Sequence, residues 1–128
     1  MKTNEATQNR PTGDRILDAP YIVANIDERI EELKEEEAWE RNDRNAITLV
    51  KTEGLTIVLI CLRKEAAIND NIIDGIVTVE VIEGSVTVTT NAESFDLSER
   101  SIITLRPNIP HSMYARKESV LLLSNYVY

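Results

Sequence analysis

The chain has 128 residues, a formal net charge of −8 and 42% hydrophobic residues, with one histidine and one cysteine. This length and composition predict one globular domain with a core of its own. A single His and a single Cys exclude an internal disulfide and argue against a His-rich metal centre or a zinc cluster. The acidic balance, without a Lys/Arg cluster, argues against nucleic acid or an anionic membrane as a partner.

The N-terminal part has two sections of different character. Residues Met1 to Asp14 are polar and predict a disordered tail, because they have almost no apolar surface to bury. Residues 15–128 then form the single domain. Short apolar pairs between Ile16 and Val23 predict an edge strand or a segment that packs on a neighbour. No apolar run matches a secretion signal or the ~20 residues of a membrane span, so a cytoplasmic location is expected.

One amphipathic helix is predicted from about Ile26 to Trp39. Asn25 is its N-cap, and Glu28 completes a capping box. Apolar residues at helical spacing line one face. Nine acidic and four basic residues lie between Asn25 and Asn45, which gives this segment a net charge of −5. The acidic run is interpreted as the solvated outer face of the helix, and a site for a cation or a basic partner is the alternative.

After the helix, short β-rich runs replace the helical pattern. Their spacing and the turn residues between them predict a compact antiparallel sandwich or barrel without crossover helices. Cys61 lies in one of these apolar runs, which predicts a buried, unreactive thiol. The predicted strands are Ala46–Lys51, Leu55–Leu62, Ile76–Ile82, Ser85–Thr90, Ser94–Leu97, Ile102–Leu105, His111–Arg116 and Val120–Tyr126.

A hairpin is predicted around Glu83 and Gly84. If these two residues form the turn, Val81 pairs with Val86 and the two strands agree on which faces they present. Valines then occupy one face, and Thr, Ser and Glu occupy mainly the other. The valine face, predicted to be the interior, consists of Val77, Val79, Val81, Val86 and Val88.

Three segments occur in the order and approximate spacing of the two motifs of a known barrel family. They are LRKEAAINDN from Leu62, GIVTVEVIEG ending at Gly84, and RPNIPHS around His111. The chain resembles a small single-domain bacterial cupin over about Ile26 to Tyr126. This resemblance implies an all-β fold, an antiparallel double-stranded β-helix (the cupin or jelly-roll barrel), with the one N-terminal amphipathic helix.

The resemblance also implies a metal site that this chain does not complete. Cupins hold a divalent transition metal with three His and one Glu, a set that leaves coordination positions open. The first-motif His positions fall at or near Asn69 and Asn71, the Glu position at or near Val77, and the second-motif His at His111. Only His111 matches, so no metal and no other cofactor is expected.

The turn positions of the motifs differ from the family pattern as well. Positions that are Gly or Pro in cupins read Glu65, Arg100, Arg106 and Asn108 here. Asn108 is the substitute best able to adopt a left-handed backbone conformation. Arg100 and Arg106 are interpreted as exposed turn residues, and a clamp on a ligand carboxylate is the alternative.

The residues singled out for a ligand site are His111, Asn69, Asn71, Val77 and Val79. His111 is the only candidate catalytic group, as a general acid or base or as a hydrogen-bonding group, and a histidine that the fold no longer uses is the alternative. Asn69 and Asn71, with Asp70 and Asp74, form a polar loop that can rim a pocket or simply make a turn. Ser112 is no catalytic partner of His111, because successive strand residues face opposite sides.

Three functions remain open, and no catalysis is assigned. The first is a metal-free small-ligand binding or sensing protein that uses a valine-lined cavity. The second is an isomerase or lyase that acts through His111 with weak or no metal. The third is a structural or interaction protein with a filled barrel. The resemblance also implies a homodimer, with Val120–Tyr126 and Ile16–Val23 as candidate contacts.

Overall fold

The computed structural model describes the backbone of Thr3–Asn4 and residues 15–128. Thr3–Asn4 pairs antiparallel with Arg15–Ile16, and the rest of the tail predicted to be disordered lies outside the described residues. The helices are α1 (Ile26–Glu35) and α2 (Glu37–Arg41). The strands are β1 (Thr3–Asn4), β2 (Arg15–Ile16), β3 (Arg44–Lys51), β4 (Leu55–Leu62), β5 (Ala67–Asn71), β6 (Ile76–Glu83), β7 (Ser85–Thr90), β8 (Ser94–Ser98), β9 (Ile102–Leu105), β10 (His111–Ala115) and β11 (Ser119–Tyr126).

Two antiparallel sheets form the barrel. The five-stranded sheet has the order β3-β4-β11-β6-β9, and the four-stranded sheet has the order β5-β10-β7-β8. Strands alternate buried and partly buried residues, as in the first four residues of β7, because one face of each sheet turns inward and the other turns outward. The predicted antiparallel double-sheet barrel is therefore confirmed, and eight predicted strands are present within two residues of their predicted bounds.

The predicted hairpin around Gly84 is wrong, although the predicted interior face is right. β6 pairs with β11 and β9, whereas β7 pairs with β10 and β8, so the chain passes from one sheet to the other at Gly84. All five valines of the two strands are at most 2% exposed. Because the sheets face each other, the two valine rows pack across the interior instead of side by side.

β5 was not predicted, because Asn69, Asp70 and Asn71 are typical turn formers. They nevertheless lie in a strand that pairs with β10, with a register shift between His111 and Met113. Asp70 has φ of 54° at this irregularity, and its amide donates to Ser112 Oγ over 3.1 Å. An Asp tolerates the left-handed conformation better than most residues, which is consistent with a bulge at this position.

The predicted single helix from Ile26 to Trp39 is two helices, separated by Glu36 in an extended conformation. The predicted cap is present, since Asn25 Oδ1 accepts from the amide of Glu28 over 3.0 Å. At about 100° per residue, an unbroken helix would place Trp39 opposite Ile30. The break lets both side chains face the same sheet, where Trp39 is 5% exposed and Ile30 7%.

The apolar residues form two clusters, one on each side of the five-stranded sheet. The inner cluster lies between the sheets and contains the five valines with Leu62, Leu121 and Met113. The outer cluster lies between the sheet and the helices, with Leu33, Trp39, Leu59 and Cys61 among its members. Of the ligand positions implied by the resemblance, Val77 belongs to the inner cluster and His111 is buried beside it, whereas Asn69 is exposed.

Candidate functional site

His111 lies on the interior face of β10. It alternates with Met113 and Ala115, which both belong to the inner cluster, and it is 3% exposed. Asn71 of β5 lies directly opposite on one side, and Thr90 of β7 lies opposite on the other. Residues directly opposite in an antiparallel pair share a face of the sheet. The structure therefore places Asn71 beside His111.

The hydrogen bond of His111 shows which ring nitrogen carries a proton. Its Nδ1 lies 2.9 Å from the carbonyl oxygen of Ile109, and a carbonyl only accepts, so Nδ1 carries the proton. Its Nε2 is buried and has no hydrogen-bond partner. A buried polar atom without a partner costs free energy unless water or a ligand supplies one. In the neutral ring, this Nε2 offers a lone pair to a donor.

Asn69 lies apart from the His111 row. It is exposed, and the register shift next to it separates it from the position opposite His111. Of the two Asn candidates, only Asn71 shares the row of His111. The structure thus separates two residues that the motif places together.

A cavity of about 240 Å³ lies at the end of the five-stranded sheet where β4 and β6 begin and β11 ends. Among the described residues, its lining carries no charged side chain, and its apolar members include Val77 of the inner cluster and Leu123, which packs against that cluster. A pocket for a drug-sized ligand measures roughly 300–1,000 Å³, so this cavity suits a smaller molecule. The lining residues are Thr56, Val58, Ile60, Ile73, Val77, Leu123, Ser124 and Asn125.

Asn125 is one of the polar residues that line this cavity. Its Oδ1 is buried and has no hydrogen-bond partner. Asn125 lies opposite Thr56 of β4 and Val77 of β6, because β11 is the central strand of the sheet. A Cβ on Gly75 would lie 2.5 Å from Asn125 Oδ1, and Gly75 therefore leaves the space that the amide occupies. The lining of the cavity is mostly apolar, and Asn125 Oδ1 packs beside Gly75 with almost no accessible surface.

The five candidate ligand residues divide between two places. Val77 lines the cavity, and Val79 is fully buried opposite Leu123, next to the cavity but not part of its lining. His111, Asn69 and Asn71 do not line it. The cavity and the His111 row therefore form two separate candidate sites on the two sheets.

Sequence reasoning missed Asn125. The segment VLLLSNYVY was interpreted only as an apolar strand that is either buried or covered by a partner. In a strand of period two, Asn125 shares the interior face with Leu121 and Leu123. A polar residue on the apolar face of a buried strand was the available signal.

Other residues singled out from the sequence lie away from both places. Arg100 and Arg106 are exposed. Cys61 is fully buried, and burial raises the pKa of its thiol to about 11, which keeps the thiol protonated and unreactive near neutral pH. The acidic residues of α1 lie on the opposite side of the five-stranded sheet from the inner cluster.

Two further observations concern only the described part of the chain. No group of three or more His, Cys, Asp or Glu residues is placed so that it could hold a metal ion. None of the helices has the length and apolar character required to cross a membrane.

The comparisons with known proteins identify the fold. A conserved protein of unknown function from Streptococcus pyogenes is 25% identical, with a TM-score of 0.65, over 69% of this chain and 77% of that one. A cupin superfamily protein from Desulfitobacterium hafniense is 13% identical, with a TM-score of 0.66, over 68% and 80%. An RmlC-like cupin from Shewanella frigidimarina is 16% identical, with a TM-score of 0.63, over 67% and 78%. This chain is a small cupin-fold domain.

The cupin fold does not assign an activity. No family model matches the chain, and no curated protein matches it. Since one fold carries many functions, the function has to be argued from the cavity and the His111 row. The His111 row lies on β5 and β10, which two of the motif segments form, whereas the cavity shares only β6 with the third segment.

Proposed function

We propose that this cupin domain is a metal-free protein that binds or senses a small molecule in the 240 Å³ cavity between β4, β6 and β11. The observation that carries the proposal is a mostly apolar lining in which, of the described residues, only Thr56, Ser124 and Asn125 are polar. Small-molecule sites are typically concave and mostly apolar, with few polar groups that fix orientation. Val77, which the resemblance places at the position of the cupin Glu, contributes apolar surface here.

The donor chemistry supports a site without metal. At the four positions that cupins use, this chain has one imidazole, two neutral amides and the aliphatic Val77, which is 2% exposed. A dication needs charged or strongly basic ligands to offset its lost hydration, and Val77 supplies none. Asn69 is also exposed, so it does not share the buried environment of His111. These residues do not fit a cupin metal.

A thermal-shift screen of small neutral molecules, with and without divalent metals, tests this proposal. Ligands that bind the native state raise the midpoint of unfolding by mass action. The shift is expected to be independent of metal and to disappear in Thr56→Trp, which fills the cavity. Thr104→Trp is the matched control, because Thr104 is exposed on β9. Ligands that stabilise Thr56→Trp as well as the wild type would contradict the proposal.

A second candidate function is catalysis through His111, in an isomerase or lyase. The observation that favours it is the buried Nε2 lone pair without a partner, which a substrate O–H or N–H group would satisfy. His111→Ala removes this lone pair, and His111→Gln replaces the basic nitrogen with a non-basic amide that keeps polarity for folding. Ligand responses that are unchanged in both variants would eliminate this function.

A third candidate function is that of an interaction protein. It is supported by the valine rows of β6 and β7, which pack against each other in the interior of the barrel.

We also propose a homodimer in the cytoplasm. The segment Ile16–Val23 supports the dimer, because Tyr21 is 90% exposed and Val23 is 96% exposed, and large apolar side chains at this exposure lack a cover. Val120–Tyr126 offers less surface, because β11 lies between β4 and β6. A dimer mass is expected by light scattering at micromolar concentration. The double variant Tyr21→Ser, Val23→Ser should shift it toward the monomer, and a monomeric wild type would contradict the proposal.

A further inference from the structure

The two sheets of the barrel end in four edge strands, namely β3, β9, β5 and β8. Edge strands carry backbone groups that a further strand can pair with, and proteins commonly protect them with charged side chains or a covering segment. At β3, the amide of Lys51 donates to Leu17 O over 2.9 Å. At β5, Arg44 Nη2 donates to Ala67 O over 2.6 Å. β8 has Asp96 at its centre, whereas β9 has no charged residue and no such cover among the described residues.

Alternate residues of β9 direct their backbone groups to the open edge. The amide of Val81 in β6 donates to Ser101 O over 2.9 Å, and Ile103 follows in the same phase of the ladder. The N–H and C=O groups of Ile102 and Thr104 therefore point away from β6. The side chain of Ile102 is also 59% exposed, and that of Thr104 is exposed. β9 thus offers both backbone groups and side chains to a neighbouring strand.

An arginine lies at each end of β9. Arg100 and Arg106 are both exposed, and neither forms an ion pair with a described residue. Five arginines elsewhere in the described part of the chain do pair with carboxylates, as Arg116 does with Asp96 over 3.3 Å. Six residues of a strand span roughly 20 Å, so two separate carboxylates fit the two arginines better than one. The ends of β9 therefore attract an acidic partner.

A second copy of β9 is a poor occupant of this edge. A two-fold antiparallel pairing centred on Ile103 would put Arg100 of each copy opposite Arg106 of the other copy. Like charges directly opposite each other are destabilising. Arg100 also has φ of 70°, a conformation that favours glycine, so its side chain is kept at a cost to the backbone. The two arginines disfavour self-pairing and favour a strand of opposite charge.

We infer that the open edge of β9 binds an extended acidic segment of a partner protein as an additional strand. Backbone hydrogen bonds to Ile102 and Thr104 supply affinity. Acidic residues at the two ends of the segment pair with Arg100 and Arg106. The centre of the segment is uncharged, because Glu80 lies opposite Ile102 and would repel a central carboxylate. This surface is separate from the proposed ligand site, since no described residue of β9 lines the cavity.

Synthetic peptides of seven residues with blocked termini test this inference. The first has Glu at both ends and alternating Thr and Val between them, and the second has Lys at both ends instead. The third is the first with two consecutive N-methylated residues at its centre, which lack N–H donors. Binding is followed through the backbone amide NMR signals of Ile102 and Thr104. The Glu-ended peptide is expected to shift both signals, and the other two peptides are expected not to.

A charge reversal tests the role of the arginines. The double variant Arg100→Glu, Arg106→Glu is compared with Lys64→Glu, Lys117→Glu, which changes the net charge equally at two exposed lysines. The Kd of the Glu-ended peptide is expected to rise about 10-fold in the arginine variant, because two ion pairs become repulsions, and about 2-fold at most in the lysine variant. The Lys-ended peptide is expected to bind the arginine variant. If that variant does not fold, Arg106→Glu alone gives the same comparison.

Three results would overturn the inference. Wild-type signals that do not shift with the Glu-ended peptide, or that shift equally with the N-methylated peptide, would mean that no strand is added. Equal Kd values in the two double variants would mean that Arg100 and Arg106 do not select the partner. Signals of Ile102 and Thr104 that shift when the peptide-free wild type is diluted would mean that β9 pairs with a second copy.

Discussion

Arg100 adopts a backbone conformation that glycine tolerates best. Its φ is 70°, and the same left-handed region holds Glu65 (φ 74°) and Asn108 (φ 63°). Asn108, named from the sequence as the substitute best able to adopt this conformation, does adopt it. Glu65 and Arg100 also adopt it, although their residue types disfavour it. At Arg100 the turn is stabilised by the backbone amide, which donates to Val81 O over 2.7 Å.

The first prediction concerns this strain. Arg100→Gly should raise the free energy of unfolding by about 0.5–1 kcal/mol, since a side chain at positive φ costs ~1–2 kcal/mol and glycine returns part of that through its flexible unfolded state. Asn108→Gly should change it less, because Asn visits this region more readily. Urea denaturation measures both variants. A destabilised Arg100→Gly would show that its side chain contributes more than its backbone costs.

The second prediction contrasts two asparagines. Asn125 has an unpartnered buried oxygen, whereas Asn45, 8% exposed, donates to Leu33 O over 2.9 Å and to Glu36 Oε1 over 2.8 Å. Asn125→Leu should stabilise the unliganded protein by about 1–2 kcal/mol, and Asn45→Leu should destabilise it by about 1–3 kcal/mol. Chemical denaturation without ligand gives both values. Equal signs for the two variants would contradict the account of the cavity.

The third prediction concerns pH. Burial raises the pKa of Cys61 from 9.0 to about 11, so the unfolded chain loses this proton at lower pH than the folded chain. The free energy of unfolding therefore has a contribution from Cys61 that is complete below pH 9 and falls between pH 9 and 11, by up to about 3 kcal/mol. Cys61→Ala should lose less stability than the wild type over this range. An equal loss of stability in the wild type and in Cys61→Ala over this pH range would contradict the raised pKa of Cys61.

At the scale of elements, the alternation of apolar and polar residues was sufficient to predict which face of a strand is buried. It was not sufficient to predict which strand pairs with which. Val79 and Val88 were correctly placed in the interior because each alternates with polar neighbours. Their strands were wrongly paired, since a local pattern does not state which sheet a strand joins. β5 was missed because Asn, Asp and Asn in succession have low strand propensity, and its pairing with β10 overrides that preference.

The fourth prediction tests the crossover between the sheets. Gly84 has φ of 97°, and a Cβ there would overlap Ser119 Oγ and lie 2.5 Å from Glu118 O. Gly84→Ala should therefore destabilise the protein by about 2–4 kcal/mol. Gly54→Ala is the matched control: its φ is 96°, but the nearest contact of its Cβ is 3.0 Å, so it should lose less. Thermal unfolding measures the stability of both variants. Equal losses of stability would mean that the backbone strain at positive φ, and not the steric overlap at Gly84, accounts for the destabilisation.

At the scale of the whole molecule, most of the net charge lies on a segment of the chain that does not line the cavity. The segment from Asn25 to Asn45 carries −5 of the net charge of −8, while the cavity on the inner side of the five-stranded sheet has no charged lining. The overall acidity of the chain therefore does not describe its candidate site. Composition argues against some classes of partner, whereas the cavity depends on how β4, β6 and β11 meet, which no local pattern states.

The most direct measurement is a titration of phenol followed through the side-chain amide signals of Asn125. The account predicts shifts that saturate in the wild type, that are absent in Thr56→Trp and that persist in Thr104→Trp. Asn125 signals that do not move in the wild type, or that move equally in Thr56→Trp, would contradict the claim that the cavity between β4, β6 and β11 is the ligand site.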